Sequence, residues 1–174
     1  GIASLRYRSL GLGVVLPALV SSVALLLARL GSVEATLTGL LASNVRAGDA
    51  IVFAETARTV PEYYLGLWGN QAQRISFPAG NEGVFGFTDT AHWTVESLAS
   101  EGLELGARLR TDVLDRGGRV FVVDTVRGAH VEPMRQALHL GLRTTLGTEL
   151  IAWRPDPKAD PLVTVFDGAP LGGR

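Results

Sequence analysis

The chain has 174 residues, with 16 Lys and Arg against 17 Asp and Glu and a formal charge of −1. A balance this close to zero, with no basic block, argues against sequence-independent capture of nucleic acid. The complete absence of cysteine removes disulfides, zinc thiolate sites and cysteine nucleophiles together. No internal repeat and no low-complexity tract interrupts the sequence.

The first predicted element is the stretch from Ser9 to Ala28, which carries no ionisable side chain and is bracketed by Arg6 and Arg8 before it and Arg29 after it. A bilayer core of roughly 30 Å needs about 20 apolar residues of helix, and the run from Leu10 to Leu27 with its flanks supplies them. A buried core helix and a cleaved signal peptide are the competing readings. The run is apolar on every face and longer than the roughly 7 to 15 residues of a signal peptide's apolar region, so the span is preferred. Pro17 is tolerated in such a helix, and Gly11, Gly13, Ser21 and Ser22 admit close helix neighbours. With Gly1 first and Met134 the single methionine, the expectation is the tail of a longer membrane protein that supplies those neighbours. Arginine on the Arg6 and Arg8 side places the N-terminal flank in the cytoplasm and the rest of the chain outside it. The expected organisation is a transmembrane helix with its flanks over residues 1–31 and an extracytoplasmic α/β domain over residues 32–174.

Within that domain Ser32 is placed to cap a helix with Val33, Leu37, Leu40, Leu41 and Val45 at helical spacing. Glu34 would lie in its first turn and Arg46 in its last. Ala47-Gly48-Asp49 stops it, with Asp49 shaping the turn, and Ala50 to Ala54 reads as a strand covered on both faces. A helix from about Pro61 to Trp68 follows, then a short strand from Arg74 to Phe77. Pro78 to His92 reads as a long loop of the kind that often carries function. A helix from about Val95 to Asp115 ends at Gly117-Gly118, and Arg119 to Thr125 is the clearest buried strand. A helix over roughly Val131 to Leu140 is closed by Gly141. Glu149 to Trp153 and Leu162 to Phe166 flank the turn-forming Pro155 to Asp160 as a closing hairpin at a sheet edge. Strands alternating with helices predict an α/β sandwich with a mainly parallel sheet.

No motif carries catalytic chemistry. Gly11-Leu12-Gly13 lies inside the apolar run, outside the strand-turn-helix context of a dinucleotide fingerprint, and no P-loop is present. His92, His130 and His139 are too dispersed for a metal spacing and read as ordinary surface or loop residues; no metal and no cofactor are expected. Glu55 follows the first strand and Asp124 ends the third, so both fall at the carboxyl edge of the sheet, where open α/β folds place ligands. The plainer reading of each is a helix cap or a satisfied loop carboxylate. Tyr63, Tyr64 and Trp68 have the chemistry to stack on a sugar ring, while Tyr64 and Trp68 at i, i+4 also fit simple core packing.

The terminal span, the short helix, Asn44-Val45-Arg46-Ala47-Gly48-Asp49-Ala50-Ile51-Val52-Phe53, the pair Tyr63-Tyr64 and Arg119-Val120-Phe121-Val122-Val123 resemble the C-terminal region of bacterial multi-span GT-C class glycosyltransferases. The protein mannosyltransferases and aminoarabinose transferases are of this kind. The resemblance implies transfer of a sugar from a polyprenyl-phosphate donor to an acceptor on the outer side of the cell membrane. The family's catalytic acids lie in a first external loop that this sequence does not contain, so no catalytic residue carries over. The expected function is that of a membrane-anchored accessory domain, non-catalytic in isolation. Its partners would be the membrane, preceding transmembrane helices of the same protein and a sugar or lipid-linked sugar, with Glu55, Tyr63, Tyr64 and Asp124 as candidate binding residues. A membrane-tethered binding or sensor domain and an exported soluble doubly wound enzyme are the alternatives.

Overall fold

The computed structural model of the chain describes residues 33–79, 93–126 and 128–168. The chain divides into two units, Gly1–Thr36 and Leu37–Arg174. Of the first, only the opening turn of one helix is described, so the expected span over residues 9–30 lies outside the described residues, as do Ser32 and most of the loop from Pro78 to His92. Among the described residues, no helix is long and apolar enough to cross a membrane.

Helix α1 (Val33–Asn44) buries Leu37 and Leu41, and Val45 continues the same apolar face. It stops short of Arg46, because the Arg46 amide donates to Asp49 Oδ2 at 2.9 Å and not to a helical carbonyl. Gly48 then takes φ 92°, a conformation that favours glycine. Strand β1 (Ala50–Ala54) is buried along its whole length, as its uninterrupted apolar sequence requires. A 3-10 turn (Glu55–Arg58) leads into α2 (Thr59–Leu67), followed by β2 (Gln73–Phe77). Helix α3 (Val95–Asp112) opens on a reciprocal cap in which Thr94 and Ser97 each bond the other's amide. A 3-10 turn (Leu114–Arg116) precedes β3 (Val120–Val123), and α4 (Glu132–Leu146), β4 (Leu150–Trp153) and β5 (Val163–Phe166) complete the domain.

The five strands lie in the order β2-β1-β3-β5-β4. β1 pairs with β2 and β3 in parallel, whereas β5 runs antiparallel between β3 and β4. The sheet is therefore mixed, and the expectation of a mainly parallel sheet is corrected. The turn at Pro155–Asp160 returns the chain so that β5 enters beside β3, leaving β4 at the edge. Alternation along β1 and β3 sends Ala50, Val52, Ala54, Val120 and Val122 to one apolar cluster with α3 and α4. Ile51, Phe53, Phe121 and Val123 face a second cluster with α1 and Leu65 of α2. The result is three layers, helices on both faces of one sheet.

Helix α4 runs past its expected end for a physical reason. Gly141 does not end α4; it lies in the middle, where α4 crosses α3. A Cβ at Gly141 would stand 2.3 Å from the carbonyl carbon of Gly102, and one at Gly102 would stand 2.6 Å from the Ala137 oxygen. The glycines let two helix backbones touch, and this packing overrides glycine's weak helix propensity.

Candidate functional site

The chain leaves the neighbouring strands β1 and β3 in opposite directions. β1 leads through α2, on the face of Leu37 and Leu65, while β3 leads to α4 on the other face. Such a divergence opens a crevice at the carboxyl ends of the two strands. Asp124 directly follows β3 there, its amide bonded to the Leu162 carbonyl at 3.0 Å and its side chain buried. Glu55 follows β1 as the first residue of the 3-10 turn, and the register Phe53 to Val123 puts both residues at the same end of the sheet.

On the α4 side of this edge lies a cavity of about 870 Å³, lined by α4 and by the region of β4 and β5. The polar stripe of α4 faces it: Glu132, Arg135, Gln136, His139 and Arg143 recur at i, i+3, i+4, i+7 and i+11. Arg135 Nε donates to both Asp124 oxygens, at 3.0 and 2.7 Å, and its Nη1 reaches Glu132 Oε2 at 2.6 Å. His139 bridges two carboxylates. Its Nδ1 is 2.7 Å from Glu149 Oε1 and its Nε2 is 3.3 Å from Asp124 Oδ2. Glu149 also accepts from Thr164 Oγ1 at 2.5 Å and from Arg143 Nε at 2.6 Å.

These contacts fix the charge states. Burial opposes the charged form of His139, but the bonds to Asp124 and Glu149 and their charges outweigh it and raise its pKa to about 9. Burial likewise works against ionised Glu149, yet donation by His139 and Thr164, with Arg143 adding to it, lowers its pKa to about 2. Arg135, also opposed by burial, is held still more firmly protonated by Asp124 and Glu132. At neutral pH both ring nitrogens of His139 therefore donate. The cavity lining holds four carboxylates (Asp124, Glu132, Glu149, Asp160) and three cations (Arg135, His139, Arg143), which nearly balance. Leu140 and Ile151 add exposed apolar surface to the lining.

The arrangement offers hydrogen bonds of both polarities from groups already held in place. Among the described residues, no group of three His, Asp or Glu side chains is arranged to hold a metal ion. Of the residues selected in the sequence, Asp124 lines the cavity and Glu55 begins the turn after the adjacent strand. Tyr63 and Tyr64 do not line it; they stand on α2, on the opposite face of the sheet from α4. Core packing of Tyr64 and Trp68 is corrected: both rings touch, with centroids 5.9 Å apart, but both are exposed. His139, read as an ordinary surface or loop residue, is the hub of the cluster. The signal for it was the helically spaced polar stripe of α4, four of whose five members lie within the helix expected over Val131 to Leu140; Arg143 joins them because the helix runs past Gly141.

No protein-family model, curated protein or solved structure matches the chain. The fold and the cleft define a class: a three-layer α/β domain with a mixed sheet and a charge-paired cleft at the carboxyl end of β3.

Proposed function

We propose that the chain is the membrane-anchored, extracytoplasmic accessory domain of a glycosyltransferase that uses a polyprenyl-phosphate sugar, and that its cleft holds a sugar. The observation that carries this reading is the cleft's network of paired charges. A neutral polyol exchanges hydrogen bonds with donors and acceptors at once and brings no charge that the cleft must balance, while Leu140 and Ile151 suit the apolar face of a pyranose ring. His139 held protonated and Glu149 held ionised are both far from the pKa near neutrality that an acid–base catalyst needs, which favours holding a ligand over moving protons. The resemblance of Asn44 to Phe53 and of Arg119 to Val123 to the lipid-donor enzymes supports the choice of sugar and membrane.

The test is saturation-transfer NMR on the full chain in lipid nanodiscs with monosaccharides and a short polyprenyl-phosphate sugar. Saturable sugar signals that Glu132→Gln and Gln136→Ala weaken by about tenfold, roughly the loss of one well-made hydrogen bond, are the expected result. Nucleotides and nicotinamide cofactors should give background signals, and the chain alone should transfer no sugar. Micromolar nucleotide binding without sugar binding would overturn the reading in favour of an exported soluble enzyme.

A further inference from the structure

Helix α2 carries two apolar stripes where packing on the sheet needs one. Pro61 and Leu65 are buried and, with Ala57 before them, form the inner stripe. Val60, Tyr63, Tyr64, Leu67 and Trp68, at i, i+3, i+4, i+7 and i+8, form an outer stripe that is exposed throughout, Tyr63 to 64 % and Trp68 to 54 %. The aromatic members are contiguous: the Tyr63 and Tyr64 rings meet edge to face at 5.3 Å, and Tyr64 lies 5.9 Å from Trp68. These three account for half of the chain's three tyrosines and three tryptophans. A continuous apolar surface of this kind on a small domain marks a contact.

We propose that the outer stripe of α2 seats in the headgroup layer of a lipid bilayer, with Tyr63, Tyr64 and Trp68 as its interfacial anchors. The inference rests on reading residues 9–28 as a membrane span. Two observations favour lipid as the occupant. Tyrosine and tryptophan, apolar rings with a polar tip, are the side chains that settle at the membrane–water boundary. The stripe itself carries no charge, and the one acid of α2, Glu62, is neutralised by Arg58, which donates Nη2 to Oε1 at 2.8 Å as well as Nε to Oε2.

The sequence supplies the probe. Tryptophan occurs at positions 68, 93 and 153 and nowhere in the first 32 residues, so quenching by lipid reports the domain and not the anchor. The full chain is placed in vesicles whose acyl chains are brominated near the headgroup end, and its emission is compared with that in unbrominated lipid. Flotation of the same samples reports anchoring separately. The expected result is a chain that floats and loses about a third of its emission to bromine, the share of one interfacial tryptophan in three, with the loss absent in Trp68→Phe. A chain that floats with bromine-independent emission overturns the proposal while leaving the span reading intact. If Trp68 is then shielded from aqueous iodide, a second copy or another protein covers it, which also overturns the proposal. A chain that remains at the bottom of the gradient overturns the span reading and the proposal with it.

Discussion

Asp49 shows how one side chain can close a fold. Its carboxylate accepts from the Arg46 amide at 2.9 Å, the Arg119 amide at 2.8 Å and Arg119 Nη2 at 2.8 Å, tying the entry of β1 to the entry of β3. Burial pulls its pKa upward, but the bonds from Arg119 and from both backbone amides hold it below the ordinary carboxylate range. Replacing Asp49 by Ala leaves two amides and a guanidinium without their acceptor, and the expected loss is about 3 kcal/mol in a urea titration. Asp49→Asn, which keeps one acceptor oxygen, should lose less. The cleft obeys a two-sided pH rule. Glu149, lowered to about 2, contributes stability that is complete above its ordinary 4.5 and lost as pH falls through about 2. His139, raised to about 9, contributes stability that is complete below its ordinary 6.5 and lost as pH rises through about 9. The two share one contact, so their contributions do not add, and each flank is worth about 2–3 kcal/mol. Thermal melts should be highest between pH 4.5 and 6.5. His139→Gln, which cannot titrate, should flatten the alkaline flank; an unchanged alkaline flank in that variant would place the titrating group elsewhere.

The crossing of α3 and α4 separates propensity from packing. Alanine is the better helix former, so Gly141→Ala would stabilise an isolated helix by about 1 kcal/mol. In this domain its Cβ would lie 2.3 Å from backbone carbon that cannot rotate away, and the variant should lose about 2 kcal/mol in spite of the propensity gain. Gly39→Ala on α1 is the control. Nothing lies within 4 Å of its added Cβ, and it should gain roughly 0.5–1 kcal/mol. Equal and favourable shifts for the two variants in denaturant melts would remove the close crossing. The same residue marks the limit of sequence reading here. Strand β1 was legible to the residue because Ala50 to Ala54 is short, apolar and bounded by Asp49 and Glu55. Gly141 was read as a terminator because local rules cannot see the partner helix that makes a glycine necessary. Asp124 was legible as a strand end, whereas its partners Arg135 and His139 converge on it, and Glu149 on His139, only through tertiary packing. The mixed sheet was hidden for the same reason: pairing of β5 with β3 leaves no local trace in Val163 to Phe166.

At the scale of the molecule, the sheet is shared by both cores. β1 gives Val52 to one apolar cluster and Phe53 to the other, and β3 divides Val122 and Val123 in the same way. Neither face can open without stripping the strands that hold the other, so residues 32–174 should unfold as one cooperative unit without the first 31. Two tryptophans allow each face to be watched alone, since Trp93 packs against the cluster of α3 and α4 and Trp153 against the cluster of α1. Trp68→Phe combined with Trp93→Phe, or with Trp153→Phe, leaves one reporter per face. In each variant the fluorescence midpoint in urea should coincide with that of far-ultraviolet circular dichroism. Phe53→Ala, made at a side chain fully removed from solvent, should cost about 3–5 kcal/mol and shift the midpoints of both reporters equally, although Phe53 touches only one cluster. A Trp93 midpoint that stays in place while that of Trp153 falls would mean that the two faces unfold independently, and that the sheet does not couple them.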